Sequence, residues 1–375
     1  MTAPTGAGTS RKAYLDWLRG VGVIVMIQGH TLDSWTLPAD KAQTPYHWLH
    51  FVGGVAGAPL FLFLAGVAIV LAAGARLERG RTLADVAALA RRRGWQIFGL
   101  AFLFRLQSWL ISGGPPMVRL LKVDILNVMG LSMVAAAVLW TLGWRLGRSA
   151  RSRFVLFAGA AAACAMVTPL VRAADVVRAL PDPLEWYLIP AVGTTAFTLL
   201  PWAGFLLAGA ACGVVLEQAR HTAGERWANI GLGIAGVAMA AGGYAASFLP
   251  PLYAQTNFWT SSPTFFFVRL GLVTTLVPLA YVLSLRWEWE RMREFGRASL
   301  FVYWIHVEIV YGVLTTPLHD RLPLEWSYPA FVAFTLLMFA LVRLRAPLQN
   351  AIRYVILAMT ARLNMLPVRS SRRSL

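Results

Sequence analysis

Apolar stretches about twenty residues long recur from near Ala13 to near Leu344. Each is long enough to cross roughly 30 Å of hydrocarbon as a helix. A bilayer narrows the choices sharply, because every backbone N–H and C=O inside it must be satisfied within the protein, and long continuous apolar runs do that as helices. Hydropathy and length predict about ten transmembrane helices, at 13–32, 50–73, 94–112, 125–143, 154–171, 196–216, 227–248, 264–284, 297–315 and 328–344. The implied fold class is all-α, a polytopic membrane helix bundle. The 375 residues are 58% hydrophobic and 14% charged, where soluble domains are nearer half apolar and about a quarter charged. The stretches between spans are rich in Pro, Gly or Arg, as at Gly113-Gly114-Pro115-Pro116 and Pro250-Pro251. No loop is long enough for a soluble domain, so residues 1–345 read as a single transmembrane domain. The first apolar segment contains Asp16 and Arg19 and no small-residue cleavage site follows it, so it reads as a retained helix and not a signal peptide. Cys164 and Cys212 both lie inside apolar segments, which argues against a disulfide framework; no metal site is expected.

The formal net charge of +17 points at first to nucleic acid, and the placement of the charges removes that partner. With the N-terminus inside, 25 of the 34 Lys and Arg fall in inner segments and 6 in outer loops. The remaining three, Arg19, Arg105 and Arg269, lie within spans. This bias predicts that both termini are cytoplasmic, in a multi-pass protein of the cell (inner) membrane. Attraction to anionic membrane lipids accounts for most of the positive charge. Two segments read as helices lying in the inner headgroup layer. Residues 81–93 set Leu83, Val86, Ala87 and Ala90 on one face, and residues 346–375 read as a cytoplasmic amphipathic helix and basic tail. Nothing in the sequence fixes an oligomeric state.

Ionisable groups within spans are costly and usually mark function. Here they are Asp16, Arg19 and His30 in the first span, Arg105 in the third, Arg269 in the eighth, and His306 and Glu308 in the ninth. Arg19 and His30 are eleven residues apart, close to three helical turns, so they share a face about 16 Å apart along the axis. Asp16 precedes Arg19 by three residues and can pair with it. The bland alternative is a snorkelling ion pair and an interfacial histidine. Ser299, Tyr303 and His306 also share one face. That face should turn toward the first helix and line a tunnel; a purely packing histidine is the alternative. Glu308 points elsewhere and calls for its own partner, with Arg269 and Arg105 as candidates.

The segment Tyr14-Leu15-Asp16-Trp17-Leu18-Arg19-Gly20 with His30 resembles the first helix of the type-3 membrane acyltransferases, whose hallmark is an Arg and a His at this spacing. Pro59-Leu60-Phe61-Leu62-Phe63-Leu64-Ala65-Gly66 is similar to their aromatic-rich Ser-Gly segment, with Ala65 where Ser is usual. Gly296-Arg297-Ala298-Ser299-Leu300-Phe301-Val302-Tyr303-Trp304-Ile305-His306 is similar to their late Gly…Ser…Tyr…His segment. The same features, with Leu121-Lys122-Val123-Asp124-Ile125-Leu126-Asn127, also resemble bacterial relatives of heparan-α-glucosaminide N-acetyltransferase in the transmembrane acyltransferase superfamily.

The resemblance implies an acyltransferase. It would take an acyl group, commonly acetyl, from cytoplasmic acyl-CoA (a co-substrate, with no permanently bound cofactor) and deliver it to a hydroxyl or amine of an extracytoplasmic glycan or small-molecule acceptor. Such chemistry needs a base, for which histidine suits neutral pH, and donors for the developing oxyanion. His30 is the preferred base. The heparan-type enzymes use a histidine in the first outer loop, so His47 and His50 are the alternatives, although the Asn-Gly and the acid expected after them are missing. Arg19 and the cluster Arg91, Arg92 and Arg93 could meet the phosphates or pantetheine of CoA. Arg105 and Arg269 could stabilise the oxyanion. Asp124 and Asn127 could orient the base or bind the acceptor, or serve only as a helix N-terminal pair. His306 joins His30 and Asp124 as a candidate catalytic residue, and Ser299 and Tyr303 are candidate oxyanion or acceptor-binding groups. A proton-coupled transporter or exporter of a small polar substrate is the competing function. Stabilisation by acetyl-CoA distinguishes the two.

Overall fold

The computed structural model describes residues 12–364 apart from 115, 148, 196, 220, 221 and 288, with side chains as far as residue 345. Among the described residues the regular structure is all helical, save for two isolated parallel bridges, Thr36 with Leu322 and Val123 with Thr195. Its main helices are α1 (Ala13–Trp35), α2 (Thr44–Ala56), α3 (Ala58–Glu78), α4 (Leu83–Ile111), α5 (Ile125–Leu146), α6 (Ala150–Ala173), α7 (Leu199–Gln218), α8 (Thr222–Ala246), α9 (Pro263–Ser284), α10 (Glu290–Arg297), α11 (Ser299–Tyr311) and α12 (Leu324–Asn364).

Among the described residues, seven segments are long and apolar enough to cross a membrane: Thr44–Glu78, which joins α2 and α3, then α5, α6, α7, α8, α9, and α12 as far as Arg345. The other expected spans, 13–32, 94–112 and 297–315, fall on α1, α4 and α11. The first two are long enough, about 35 Å and about 43 Å, but carry several polar side chains. The third has 13 residues, about 20 Å of helix.

Several boundaries differ from the sequence reading. The second expected span is two helices meeting at Gly57, whose ψ of −107° is not helical. A Cβ there would overlap the Gly53 carbonyl oxygen. Residues 83–93, expected as a separate interfacial helix, are continuous with the helix that runs on to Ile111. They begin α4, capped by the Thr82 hydroxyl accepting from the Asp85 backbone N–H at 3.1 Å. Val86 and Ala87 are fully buried, so protein, not lipid, covers that stripe. The helix expected after residue 346 continues α12 without interruption to Asn364; the basic tail, 365–375, lies outside the described residues. Trp35 and Trp186 are buried.

Two apolar clusters organise the bundle. The larger joins α3, α5, α6, α7 and α9 through Phe63, Trp140, Phe157, Phe205 and Phe266. The smaller holds α1 against α10, α11 and α12 through Val23, Ile27, Phe295, Val302 and Phe334. Helices α1 and α10 cross at Gly20 and Gly296. A Cβ on Gly20 would overlap the Met292 carbonyl oxygen, and one on Gly296 the Asp16 carbonyl oxygen. Only small residues let backbones approach this closely. This contact fixes the register of α1 against α10 and α11, and so the height at which their polar side chains meet.

Candidate active site

That register brings His30 of α1 opposite His306 of α11. Their Nδ1 and Nε2 atoms are 2.8 Å apart. The rings are nearly coplanar, at 8°, with centroids 5.1 Å apart. Two imidazoles joined edge to edge by a hydrogen bond have this geometry; face-to-face stacking would not place the two nitrogens so close. His306 is fully buried and its Nδ1 lies 2.7 Å from the Val302 carbonyl oxygen one turn earlier. The Tyr311 ring packs edge-on against His30 at 5.6 Å, and its hydroxyl donates to Asp33 at 2.9 Å. His30 is therefore held on two sides.

His30 lines a cavity of about 1110 Å³ bounded by α1, α2, α3, α4, α5 and α11, at the upper end of the range for ligand sites. From Arg19 to Asp33, both in its wall, the cavity follows about 21 Å of α1. Its two ends differ in chemistry. At the end formed by the start of α1, the wall carries Arg19, Arg76, Arg93 and Arg297. Arg19 is 3.8 Å from Asp16, and Arg297 donates to Glu290 at 2.6 Å. At the other end the wall carries His30, Asp33, Arg105, Asp124 and Tyr311, with Lys122 and His50.

Asp124 is satisfied on both oxygens. Arg105 donates to it at 2.8 Å and the Leu126 backbone N–H at 3.0 Å. Asn127 accepts from the Asp124 backbone N–H at 3.0 Å, which completes a capping box at the start of α5. Asp124 thus aims Arg105 into the cavity, and Asn127 is buried behind it, outside the cavity wall. Lys122, in the loop beside this pair, has its pKa lowered by burial and next by the Arg105 charge.

The other expected residues divide. Ser299 and Tyr303 line the cavity, and His306, outside the wall, reaches it through His30. Of the arginine run only Arg93 lines the cavity; Arg91 and Arg92 do not. Arg269 is also absent from the wall. Its guanidinium is buried over the rings of Phe265 at 4.6 Å, Trp202 at 5.2 Å and Phe205 at 5.5 Å, a cation–π cage that keeps it from an oxyanion in the cavity. His50 stacks on Tyr46 at 5.8 Å, and His47 lies outside the wall. Glu308 lines the cavity, but both carboxylate oxygens are covered and make no hydrogen bond of normal geometry, so neither Arg269 nor Arg105 bonds to it. Among the described residues, no group of three or more His, Cys, Asp and Glu side chains could hold a metal ion.

Arg76, Arg297, Asp33 and Tyr311 line the cavity and are among the residues given no role from the sequence. Asp33 was within reach, being one helical turn after His30. Arg76 and Arg297 belong to the 25 basic residues of the inner segments.

Residues 11–248 match the family described as heparan-alpha-glucosaminide N-acetyltransferase, catalytic. No curated protein matches the chain.

Proposed function

We propose that this chain, which belongs to the heparan-alpha-glucosaminide N-acetyltransferase catalytic family, transfers an acetyl group from acetyl-CoA on the cytoplasmic side of the cell (inner) membrane to a hydroxyl or amine of a carbohydrate on the other side. Membership supports a membrane acetyltransferase-like activity. The observation that carries the finer reading is the cavity itself, with arginines at one end and an imidazole toward the other.

Arg19, Arg76, Arg93 and Arg297 suit the phosphates of CoA, which arginine meets with charge-assisted, often bidentate hydrogen bonds. The thioester would extend along α1 toward His30. His30 takes the proton from the acceptor O–H or N–H as that atom attacks the carbonyl carbon, and Arg105 stabilises the oxyanion. When the C–S bond breaks, the thiolate leaves and takes the proton back from His30. Under this reading α1, α4 and α10–α11 cross the bilayer with the seven apolar segments, and both termini lie in the cytoplasm, where 25 of the 34 basic residues would fall.

The test uses purified full-length protein in detergent. Acetyl-CoA at a hundredfold over its Kd should stabilise the fold by about 2.7 kcal/mol by mass action, and Arg19→Ala should shift that response to higher concentration. Radiolabelled acetyl-CoA should be consumed in the presence of glucosamine. A protein that neither responds to acetyl-CoA nor consumes it favours the transporter and overturns this reading.

A further inference from the structure

The His30–His306 contact has a direction, and the direction follows from atoms already placed. A carbonyl oxygen can only accept, so the 2.7 Å contact with Val302 puts the proton of His306 on Nδ1. In the neutral ring the other nitrogen, Nε2, then carries a lone pair. That lone pair lies 2.8 Å from His30 Nδ1, so His30 must donate there, and His30 Nε2 is left as the unprotonated nitrogen. His306 is fully buried and outside the cavity wall, while His30 is part of that wall. The chain of donors therefore runs from His30 through His306 to the Val302 carbonyl and exposes one basic atom.

We propose that His306 is a positioning residue that never touches substrate, and that it locks His30 in the Nδ1–H tautomer so that Nε2 is the atom that takes the acceptor's proton. When Nε2 is protonated, His30 carries a positive charge and its Nδ1–H can be shared with His306 Nε2. The charge is then spread over two rings, while the His306 Nδ1–H stays on Val302. No bond other than N–H is made or broken in this device. It resembles in logic the acid that orients the histidine of a serine protease, where losing the correct tautomer costs about 10⁴ in turnover. Here a neutral imidazole takes the place of the acid, which avoids an additional buried carboxylate. Residues 299–311 lie beyond the 11–248 segment matched by the family, so the assignment rests on this chain's own geometry together with the proposed role of His30.

Two variants separate positioning from packing. Gln at 306 can accept from His30 through its amide oxygen and donate to Val302 through its amide nitrogen; Phe can do neither. His306→Phe should lower kcat roughly 10²- to 10⁴-fold with the KM for acetyl-CoA unchanged. His306→Gln should stay within about tenfold of wild type. Equal losses in the two variants, or wild-type kcat in His306→Phe, overturn the proposal. A measurement without turnover decides the case if His306→Phe fails to fold. In ¹⁵N-histidine spectra of the full-length protein, the His30 signals, identified by their loss in His30→Asn, should show Nδ1 protonated. Protonation at Nε2 overturns the proposal. A wild type that does not consume acetyl-CoA would overturn the acetyltransferase reading, and the spectra would still decide the tautomer.

Discussion

Helices α6 to α9 and helices α1, α4 and α11 both keep charged or polar groups within the apolar bundle, and they keep them in different ways. In the first group the charges are closed off. Arg153 and Glu217 meet at 2.7 Å with side chains 4% and 10% exposed, Arg153 lies 4.6 Å over Trp144, and Arg269 sits among three aromatic rings. In the second group Arg19, His30, Asp33, Arg105 and Glu308 line one cavity. A polar group persists within a bilayer when it is paired, caged or turned toward an interior space. The first two arrangements build a scaffold, and the third builds a site. The same division explains why α1 and α4 are missing from the seven apolar spans: their polarity is the site, whereas α11 is apolar and simply short, at 13 residues.

The largest effect should come from the site. His30→Ala is expected to lower transfer 10²- to 10⁴-fold, with a loss of stability limited to the one hydrogen bond to His306, because His30 contributes to neither apolar cluster. His50→Ala should stay within about tenfold, since His50 is exposed and stacks on Tyr46. Comparable losses in the two variants would move the base to His50.

The scaffold should respond in the opposite sense. Glu217→Ala leaves the Arg153 guanidinium buried without its carboxylate, and breaking a buried pair from one side costs about 3–5 kcal/mol. Chemical denaturation should show that loss, and the surviving folded protein should keep its KM for acetyl-CoA. If turnover is lost while stability holds, the division between scaffold and site fails.

The helices were legible because continuous apolar runs have one solution in lipid. The face holding Ser299, Tyr303 and His306 was legible too, since helical spacing places those residues together. Its pairing with His30 was not: those residues are 276 apart in the chain, and no local pattern encodes such a contact. Of the arginine run, only Arg93 lines the cavity. Consecutive helical residues point about 100° apart, so Arg91, Arg92 and Arg93 could not all face one cavity. Arg269 lies outside the cavity wall among three aromatic rings, and Phe265 one turn earlier was a local sign of that cage. Gly20 and Gly296 stood in the motifs for a reason that spacing does not reveal, the close crossing of α1 and α10.

The smallest effect sharpens the comparison at the site carboxylate left without a hydrogen bond of normal geometry. Asp33 accepts from Tyr311, and Asp124 accepts from Arg105. Glu308 has both oxygens covered and no hydrogen bond of normal geometry to either, with Ser108 as a nearby donor and Arg105 in the same cavity wall. Covering a charge from water without a well-placed donor is costly, so a neutral side chain of the same shape should be tolerated or preferred. Glu308→Gln should leave turnover within about threefold and leave the melting temperature unchanged or raised. Surface or weakly coupled substitutions commonly stay within about 0.5 kcal/mol, and this one should fall in that range or on the stabilising side. A clear fall in melting temperature would mean that the carboxylate holds part of the bundle together and belongs with Glu217 in the scaffold. A selective fall in turnover at constant stability would instead place Glu308 among the groups that handle substrate, beside Arg105 and His30.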